Sequence, residues 1–418
     1  MIRKLQKRFY LFAALELLLM PSISYGLPAG GQLNAGQASI STIASQTTIN
    51  QTSSKAVIDW NSFNISSSES VNFLQPSSSS ITLNRIHDGS ASAINGQLSA
   101  NGNIWLLNPN GILFGKTAQV NVGGLLATTS NINNNSFLSG DYNFTSGGNL
   151  SALISNEGNI TVAESGLATI VAPNVSNSGL IQARLGKVTL ASGDSFTLDT
   201  YGDNLINLQV SDNTVKKVVA NHGVIKADGG TVTLTAAGAN SVVNSLINMD
   251  GVIEADSVGS HNGKVVLYAE GSNAVAGNVP SKKNQKSGTS TVLVSGTINA
   301  TGYNGTETGG TVEVLGDNVG LLSGTKIDVS GNNGGGTIRI GRPLSKSTVS
   351  RVERRGGSAE DEGRPSTVTS NSRVCCPRKV SPGGASARKW AETPVPSATP
   401  PRCNPLARAK SSKVRRAH

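Results

Sequence analysis

The first 341 residues of this 418-residue chain contain no cysteine. All three cysteines lie further on, at Cys375, Cys376 and Cys403, so disulfides and cysteine chemistry are excluded from the body of the chain. Aromatic residues make up only 4% of the sequence, whereas glycine occurs 48 times. This composition, with its abundant Ser, Thr and Asn, favours many short strands joined by turns over helices.

Excess positive charge is also missing from the body. Residues 342–418 hold 17 of the 35 Lys and Arg residues and 5 of the 25 acidic residues, a net charge of +12. Residues 1–341 carry the other 18 basic and 20 acidic residues, a net charge of −2. The formal charge of +10 therefore reflects the C-terminal part, and it does not predict a nucleic-acid partner for the body.

No segment beyond the N-terminus is apolar enough to span a bilayer as a helix. Residues 1–26 are instead predicted to be a secretory signal peptide. Their first eight residues are rich in Lys and Arg, residues 9–20 are apolar, and Pro21 ends this run before a small-residue cleavage site at residues 24–26. The apolar run is too short for a membrane anchor, so we expect an exported protein.

Residues 95–115, NGQLSANGNIWLLNPNGILFG, contain the pattern that organises the chain. Apolar residues alternate with polar ones around Leu98 and again around Ile104, which is typical of strands because successive side chains face opposite sides. A tight turn is predicted at Asn108, Pro109, Asn110 and Gly111, where Pro fixes φ and Asn and Gly tolerate positive φ. We expect the order strand, corner, strand, turn, strand.

Two short motifs recur between residues 179 and 341. The first, Gly-x-Ile-x-Ala, begins at Gly179, Gly223, Gly251 and Gly296. The second is a pair of aliphatic residues, at Val188/Leu190, Val232/Leu234, Val265/Leu267, Val312/Val314 and Ile338/Ile340. Copies of the second motif lie 44, 33, 47 and 26 residues apart. Several of these intervals suggest two turns of roughly 20–25 residues, with a degenerate copy between.

Faithful repetition of one apolar pair favours parallel stacking of similar coils over an antiparallel sandwich. The sequence therefore predicts an all-β fold, a single-stranded parallel β-helix (a solenoid) of about 14 coils within residues 27–341. The first buried layers should contain Val57, Trp60, Phe63, Ile65, Val71, Phe73 and Leu74.

Motifs that would carry chemistry are scarce. The stretch from Gly111 to Thr117 resembles a phosphate-binding loop, but its two glycines are one residue too close, so we interpret it as a strand after a turn. The histidines of the body, His87, His222 and His261, are far apart and are expected at solvated corners. We predict no metal site, no cofactor and no enzymatic activity.

A surface polysaccharide-binding or polysaccharide-cleaving β-helix is the alternative function. Cleavage would need carboxylates gathered along one face. The densest acidic group consists of Asp194, Asp199, Asp203 and Asp212. Because Asp is a common turn former, we interpret these four as turn residues between strands.

Three long segments resemble a known family, in the same order along the chain. They are LPAGGQLNAG from Leu27, INGQLSANGNIWLLNPNGILFG from Ile94, and GLATIVAPNVSNSGLIQARLGKVTLASGDSFTLD from Gly166. These segments are similar to the secretion module of filamentous haemagglutinin-like proteins, the exported partners of two-partner secretion in Gram-negative bacteria. The resemblance covers about residues 1–341 and implies a right-handed parallel β-helix.

In that family, an outer-membrane β-barrel transporter recognises the module through its periplasmic domains and exports the chain. The resemblance implies such a transporter as partner and a secreted, cell-surface location. It also implies an adhesin-type monomer with host-cell glycans or receptors as further partners. Asn108, Pro109, Asn110 and Gly111 match the family's NPNG signature, which leaves transporter recognition and a structural turn as their two roles. The family's second short Asn-Pro motif is not found here in the same form.

The resemblance ends where the composition changes. From Arg342 the alternation gives way to Arg, Pro, Ser and Cys, and residues 342–418 are predicted to be a disordered basic tail. The tail is either a native segment for nucleic acid or anionic lipid, or out-of-frame or unrelated sequence after a truncation. The abrupt change inside a repeat favours the second. We therefore expect a haemagglutinin-type exoprotein, or its truncated secretion module.

Overall fold

The computed structural model describes residues 26–199, 206–209, 217–237, 245–270 and 290–342. They all belong to one compact unit, Met1–Glu360, and the second unit, Asp361–His418, lies outside the described residues. The predicted signal peptide up to residue 25 and the predicted tail from residue 343 also lie outside them. Within the described ranges, no helix is long and apolar enough to cross a membrane.

Short strands make up nearly all the regular structure. The first twelve are β1 (Gln32–Ala35), β2 (Ala38–Ile43), β3 (Gln46–Gln51), β4 (Lys55–Trp60), β5 (Ser70–Leu74), β6 (Ile81–Ile86), β7 (Ser92–Ile94), β8 (Gln97–Ala100), β9 (Asn103–Leu107), β10 (Ile112–Phe114), β11 (Gln119–Val122) and β12 (Gly124–Thr128). A short helix, α1 (Asn134–Ser139), follows β12. The predicted order of strand, corner, strand, turn and strand in residues 95–115 is confirmed by β8, β9 and β10.

The remaining strands continue the same succession. They are β13 (Asn143–Phe144), β14 (Leu153–Asn156), β15 (Asn159–Val162), β16 (Leu167–Ala172), β17 (Asn174–Asn177), β18 (Leu180–Gln182), β19 (Lys187–Ser192), β20 (Ser195–Leu198), β21 (Ile206–Gln209), β22 (Lys217–Asn221), β23 (Val224–Lys226), β24 (Thr231–Ala237), β25 (Ser245–Met249), β26 (Val252–Glu254), β27 (Lys264–Glu270), β28 (Ser290–Val294), β29 (Thr297–Asn299), β30 (Thr311–Leu315), β31 (Asn318–Leu321), β32 (Lys326–Asp328) and β33 (Thr337–Gly341).

Three long sheets share all of these strands except β13, β20 and β21, because the chain returns to each sheet once per coil. Sheet 1 has the order β1-β4-β6-β9-β12-β16-β19-β24-β27-β30-β33, and sheet 2 has β7-β10-β14-β17-β22-β25-β28-β31. Sheet 3 has the order β2-β3-β5-β8-β11-β15-β18-β23-β26-β29-β32. Neighbouring strands are parallel except at the start, where β1 pairs antiparallel with β4 and β2 with β3. The predicted all-β parallel β-helix is confirmed.

The recurring motifs occupy matched positions in neighbouring coils. Ile181, Ile225, Ile253, Ile298 and Ile327 pair in sequence along sheet 3. Along sheet 1, the pairing runs through Val188, Val232, Val265, Val312 and Ile338. Because a slip of one residue would turn every one of these side chains outward, the apolar columns fix the register of the stack.

The coils are longer than predicted. Strands β19, β24, β27, β30 and β33 are direct neighbours in sheet 1, so each interval of 44, 33, 47 or 26 residues is one coil and not two. Each coil contributes one strand to sheet 1, which has 11 strands among the described residues. The predicted number of about 14 coils was therefore too high. The extra residues leave the coil as excursions. The 44-residue interval, for example, contains β20 and β21.

The interior of the β-helix is apolar from its first layers. As predicted, Trp60, Phe63, Ile65, Val71 and Phe73 are buried there. The prediction for Leu74 was wrong: it is 49% exposed, because it follows the inward-facing Phe73 and so points outward. Val57 is buried as expected, but in a second cluster on the other face of sheet 1.

This second cluster, called here the outer cluster, lies on the outside of sheet 1. It contains Val57, Leu83, Trp105, Leu107, Leu126, Ile132, Phe137, Tyr142, Phe144, Val171, Ala191, Phe196 and Leu198. Helix α1 and a small antiparallel sheet of β13, β20 and β21 supply several of these side chains. The rings of Phe137, Tyr142 and Phe144 lie 5.3, 4.8 and 5.7 Å from that of Trp105. The excursions thus shield apolar residues that the alternation turns outward.

Candidate functional site

The turn at residues 108–111 connects β9 of sheet 1 to β10 of sheet 2. The N–H of Gly111 donates to the carbonyl oxygen of Asn108 at 3.0 Å, which closes the turn. Gly111 has a φ of 107°, a conformation that favours glycine. A Cβ atom here would lie 2.4 Å from the carbonyl oxygen of Leu153 in the next coil. Both the backbone angle and the close approach of the next coil therefore require glycine.

Asn108 is fully buried and ties three coils together. Its Nδ2 donates to the carbonyl oxygen of Ser90 at 3.1 Å and to the Oγ of Ser92 at 3.0 Å, both on the preceding coil. Its Oδ1 accepts the N–H of Asn110 at 2.9 Å. Its own N–H donates to the carbonyl oxygen of Thr128 on the following coil, at 3.0 Å. Replacing Asn108 would leave several of these buried groups unpaired.

Pro109 and Asn110 form the accessible part of the turn, since each is only partly buried. The Nδ2 of Asn110 donates to the carbonyl oxygen of Asp88 at 2.8 Å. The Nδ2 of Asn149 donates to the Oδ1 of Asn110 at 3.3 Å. The turn is thus held from the preceding and the following coil while part of its surface faces solvent.

A groove of about 550 Å³ begins at Asn110 and extends over the outer face of sheet 2. Leu113 of β10 and Leu153 of β14 form its apolar floor, and Glu157 lies beside it. Leu153 is 47% exposed. The groove could not be predicted from the sequence, because outward aliphatic residues on a strand look like inward ones until the register is known.

The described histidines make no side-chain hydrogen bond to the turn, although His87 directly precedes Asp88, whose carbonyl oxygen accepts from Asn110. His87, His222 and His261 are exposed, and His222 Nδ1 lies 2.5 Å from Asp250 Oδ1. The part of the chain that the structure describes contains no group of three or more His, Cys, Asp or Glu residues able to hold a metal ion. Lys116 is exposed in an ordinary turn after β10.

The acidic group is not gathered on one face where it is described. Asp194 is buried at the bend between β19 and β20, whereas Asp199 is exposed just beyond β20. The two therefore lie at opposite ends of one strand. Asp203 and Asp212 lie outside the described residues.

The fold is a stacked parallel β-helix with a half-buried Asn-Pro-Asn-Gly turn in its early coils, which is the class of β-helical modules. The sequence profile of the TPS secretion domain, where TPS denotes two-partner secretion, matches residues 25–280. The match covers more than half of the chain, and the chain belongs to this family. It is therefore a secreted exoprotein of the two-partner secretion type, directed through the outer membrane to the cell surface or medium. The family is one of secretion domains and not of enzymes.

Two curated relatives come from Haemophilus influenzae. The chain is 37% identical over 255 residues to the heme/hemopexin-binding protein of strain ATCC 51907 / DSM 11121 / KW20 / Rd, which covers 58% of this chain and 27% of that protein. A second heme/hemopexin-binding protein is 38% identical over 250 residues, covering 55% of this chain and 26% of that protein. The matched part spans about a quarter of each relative's length.

Two solved structures are also similar. The HMW1 secretion domain from Haemophilus influenzae has a TM-score of 0.48 and 22% identity, covering 75% of this chain and 100% of that one. The filamentous hemagglutinin secretion domain has a TM-score of 0.33 and 12% identity, covering 76% of this chain and 98% of that one.

Proposed function

We propose that residues 27–341 form the secretion module that the periplasmic domains of an outer-membrane β-barrel transporter recognise. Residues 1–26 act first, as a signal peptide for passage into the periplasm. Membership of the TPS secretion domain family carries this proposal. The turn at residues 108–111 adds support, since it is fixed by both neighbouring coils and yet partly accessible.

The four residues of the turn have two different roles, the structure of the turn and recognition by the transporter. Asn108 and Gly111 are buried and set the geometry of the turn, whereas Pro109 and Asn110 offer a surface that the transporter contacts. The neighbouring groove, with Leu153 exposed at its floor, extends that surface. A small rigid patch flanked by exposed apolar area suits recognition by a protein partner.

Beyond export, we propose a non-enzymatic, adhesin-type exoprotein that acts as a monomer and attaches to host-cell glycans or receptors. The near-neutral body supports this partner class over nucleic acid, because the net charge of residues 1–341 is −2. The tail, residues 342–418, is proposed to be out-of-frame or unrelated sequence that takes no part in recognition.

Co-expression of the full chain with its transporter in a Gram-negative host tests the recognition role. The double variant Pro109→Ala/Asn110→Ala, verified as folded by circular dichroism, should reach the medium at least about tenfold less than the parent, a loss of roughly 1.4 kcal/mol of recognition. Lys116→Ala/Ser178→Ala, which changes two exposed residues elsewhere, serves as the matched control. Undiminished export of the Pro109/Asn110 variant would leave the turn with a structural role alone.

A further inference from the structure

Sheet 3 carries two columns of amide and hydroxyl side chains on its outer face. In five successive coils, strands β3, β5, β8, β11 and β15 place them at matched positions. One column is Gln46, Ser70, Gln97, Gln119 and Asn159, and the other is Thr48, Asn72, Ser99, Asn121 and Thr161. These ten side chains are called here the polar ladder. All are exposed or half-exposed, while the residues between them, such as Val120 and Ile160, are fully buried.

The ladder ends within the same sheet. In the next three coils, Leu180, Val224 and Val252 continue the first column. The second column continues for one coil to the amide of Gln182 and then becomes charged, with Lys226 Nζ 2.7 Å from Glu254 Oε2. The uncharged, non-aliphatic surface is therefore a local property of the early coils and not a general one of sheet 3.

Much of the hydrogen-bonding capacity of the ladder is not used within the described protein. Ser99 Oγ donates to Asn72 Oδ1 at 2.9 Å, and Asn159 Nδ2 donates to Gln119 Oε1 at 3.4 Å. The side chains of Asn121 and Thr161 make no hydrogen bond to any described protein atom. Donors and acceptors thus repeat along each column at the spacing of stacked strands, roughly 4.8 Å.

The chemistry of this face selects one kind of partner. The ladder has no Lys or Arg, so it lacks what binds nucleic acid or an anionic polymer. Its ten members include no aromatic or aliphatic side chain. Exposed Ile43 and Leu74 lie only at its border, beside Gln46 and Asn72, so the ladder itself lacks the apolar centre of a protein interface. Amides and hydroxyls both donate and accept, as the hydroxyls of a sugar do. A neutral polymer with regularly repeated hydroxyls matches both the charge and the periodicity.

We propose that the polar ladder binds a neutral polysaccharide chain laid along the two columns. The proposal rests on the proposed function, because the columns exist only once the coils have stacked, and it places the polysaccharide outside the cell, after export. Each hydrogen bond replaces one to water and adds little by itself, so affinity comes from repetition along the polymer. Polysaccharides should therefore bind, and their constituent monosaccharides should not.

Affinity electrophoresis of the purified full chain tests this, with dextran and galactomannan as two neutral probes of different linkage. The triple variant Ser99→Ala/Asn121→Leu/Thr161→Val removes hydrogen-bonding groups from three adjacent coils and keeps residues compatible with strands. Its retardation by the neutral polymer should correspond to an affinity at least about tenfold lower than that of the parent. Circular dichroism verifies that the variant is folded.

Thr291→Val/Thr297→Val is the matched control, since it removes hydroxyls from outward positions of later coils. Its binding to both neutral polymers should equal that of the parent. Parent protein that is retarded by neither neutral probe would overturn the proposal, as would full binding by the folded triple variant. Because purified protein is used, a negative result here leaves the export experiment unaffected.

Discussion

Asn156 and Asn177 occupy matched positions on β14 and β17, and the Nδ2 of Asn156 donates to the Oδ1 of Asn177 at 2.8 Å. Asn177 repeats this contact with Asn221 of the next coil, at 2.7 Å. All three side chains are fully buried. The row continues to Met249, whose sulfur lies 3.3 Å from the Nδ2 of Asn221. Each amide therefore supplies a hydrogen-bond partner to the amides of the neighbouring coils, so removing one leaves unpaired groups in both adjacent coils.

Asn177→Leu should destabilise the β-helix. The change leaves a donor on Asn156 and an acceptor on Asn221 buried without partners, a cost of about 3 kcal/mol. The measurement is the free energy of unfolding in urea, taken from the transition midpoint and slope. Ser176→Ala, on the same strand but facing outward, should change it by less than about 0.5 kcal/mol. Equal stability of the two variants would show that the amide row contributes nothing specific.

Arg85→Ala should loosen the excursion that covers the outer cluster. Arg85 is 13% exposed, and its guanidinium donates to Ile132 O at 2.7 Å, to Asn131 Oδ1 at 2.9 Å and to Asn134 Oδ1 at 2.8 Å. Losing these charge-assisted bonds should cost about 2–3 kcal/mol. The measurement is the rate of proteolytic cleavage within residues 131–148, which should be higher in the variant than in the parent.

Arg184→Ala is the control for that experiment. Arg184 pairs with Glu164 on the surface, where their side chains are 54% and 56% exposed. Such a pair contributes about 0–1 kcal/mol, so cleavage and stability should both stay close to those of the parent. A comparable loss in both variants would contradict the specific role given to Arg85.

Ala44→Gly should stabilise the turn between β2 and β3. Ala44 has a φ of 51°, where an L-residue with a Cβ is strained by about 1 kcal/mol. Glycine relieves this strain, although its greater freedom in the unfolded chain offsets part of the gain. The thermal midpoint should therefore rise slightly. Ala38→Gly within β2, where φ is not positive, should lower it instead, and a fall in both variants would refute the strain argument.

Asp228→Asn should stabilise the folded chain at neutral pH. Burial raises the pKa of Asp228 above its ordinary value of 3.8, and the negative charges of Asp256 and Glu254 act in the same direction. A raised pKa means that the protonated form is favoured on folding. The protonated carboxyl therefore adds to the free energy of unfolding. This added stability is fully present below pH 3.8 and is lost as the pH rises through the pKa of Asp228 in the folded state.

Urea titrations across the acid range check this prediction. Asparagine stays neutral and can still accept the bond that the N–H of Asp256 makes to Asp228 at 3.3 Å. The stability advantage of the variant should therefore grow as the pH rises above the ordinary value of the carboxyl. An advantage that shrinks over that range would reverse the sign assigned to Asp228.

The sequence predicted the stacking because inward side chains carry the repeat. Ile225 and Ile253, and likewise Val232 and Val265, meet in register as their matching motifs suggested. Inward positions experience the same packing in each coil, so the same residue types suit them all. The turn at residues 108–111 was predictable for a related reason, since Pro, Asn and Gly meet its backbone requirements locally.

Coil length and the outer cluster were not predictable in the same way. Excursions leave the stack at its corners, so their length does not alter the inward pattern, and intervals of 44 and 33 residues both proved to be single coils. Trp105 and Leu107 point away from the core, yet an alternating pattern does not say which face is inside. Only the packing of Phe137 and Tyr142 onto Trp105 identifies the second buried face.

The two ends of the described stack differ in a way that gives it a direction. At one end, β1 and β2 run antiparallel to their neighbours and close the first coils. At the other, Ile338 and Ile340 continue the buried columns of Val312 and Val314 but are 42% and 39% exposed. A coil added after β33 could pack its apolar side chains directly on Ile338 and Ile340. A coil added before β1 would first have to displace the antiparallel strands β1 and β2. Duplication of a coil can therefore lengthen the β-helix without disrupting existing strand pairs only at the β33 end.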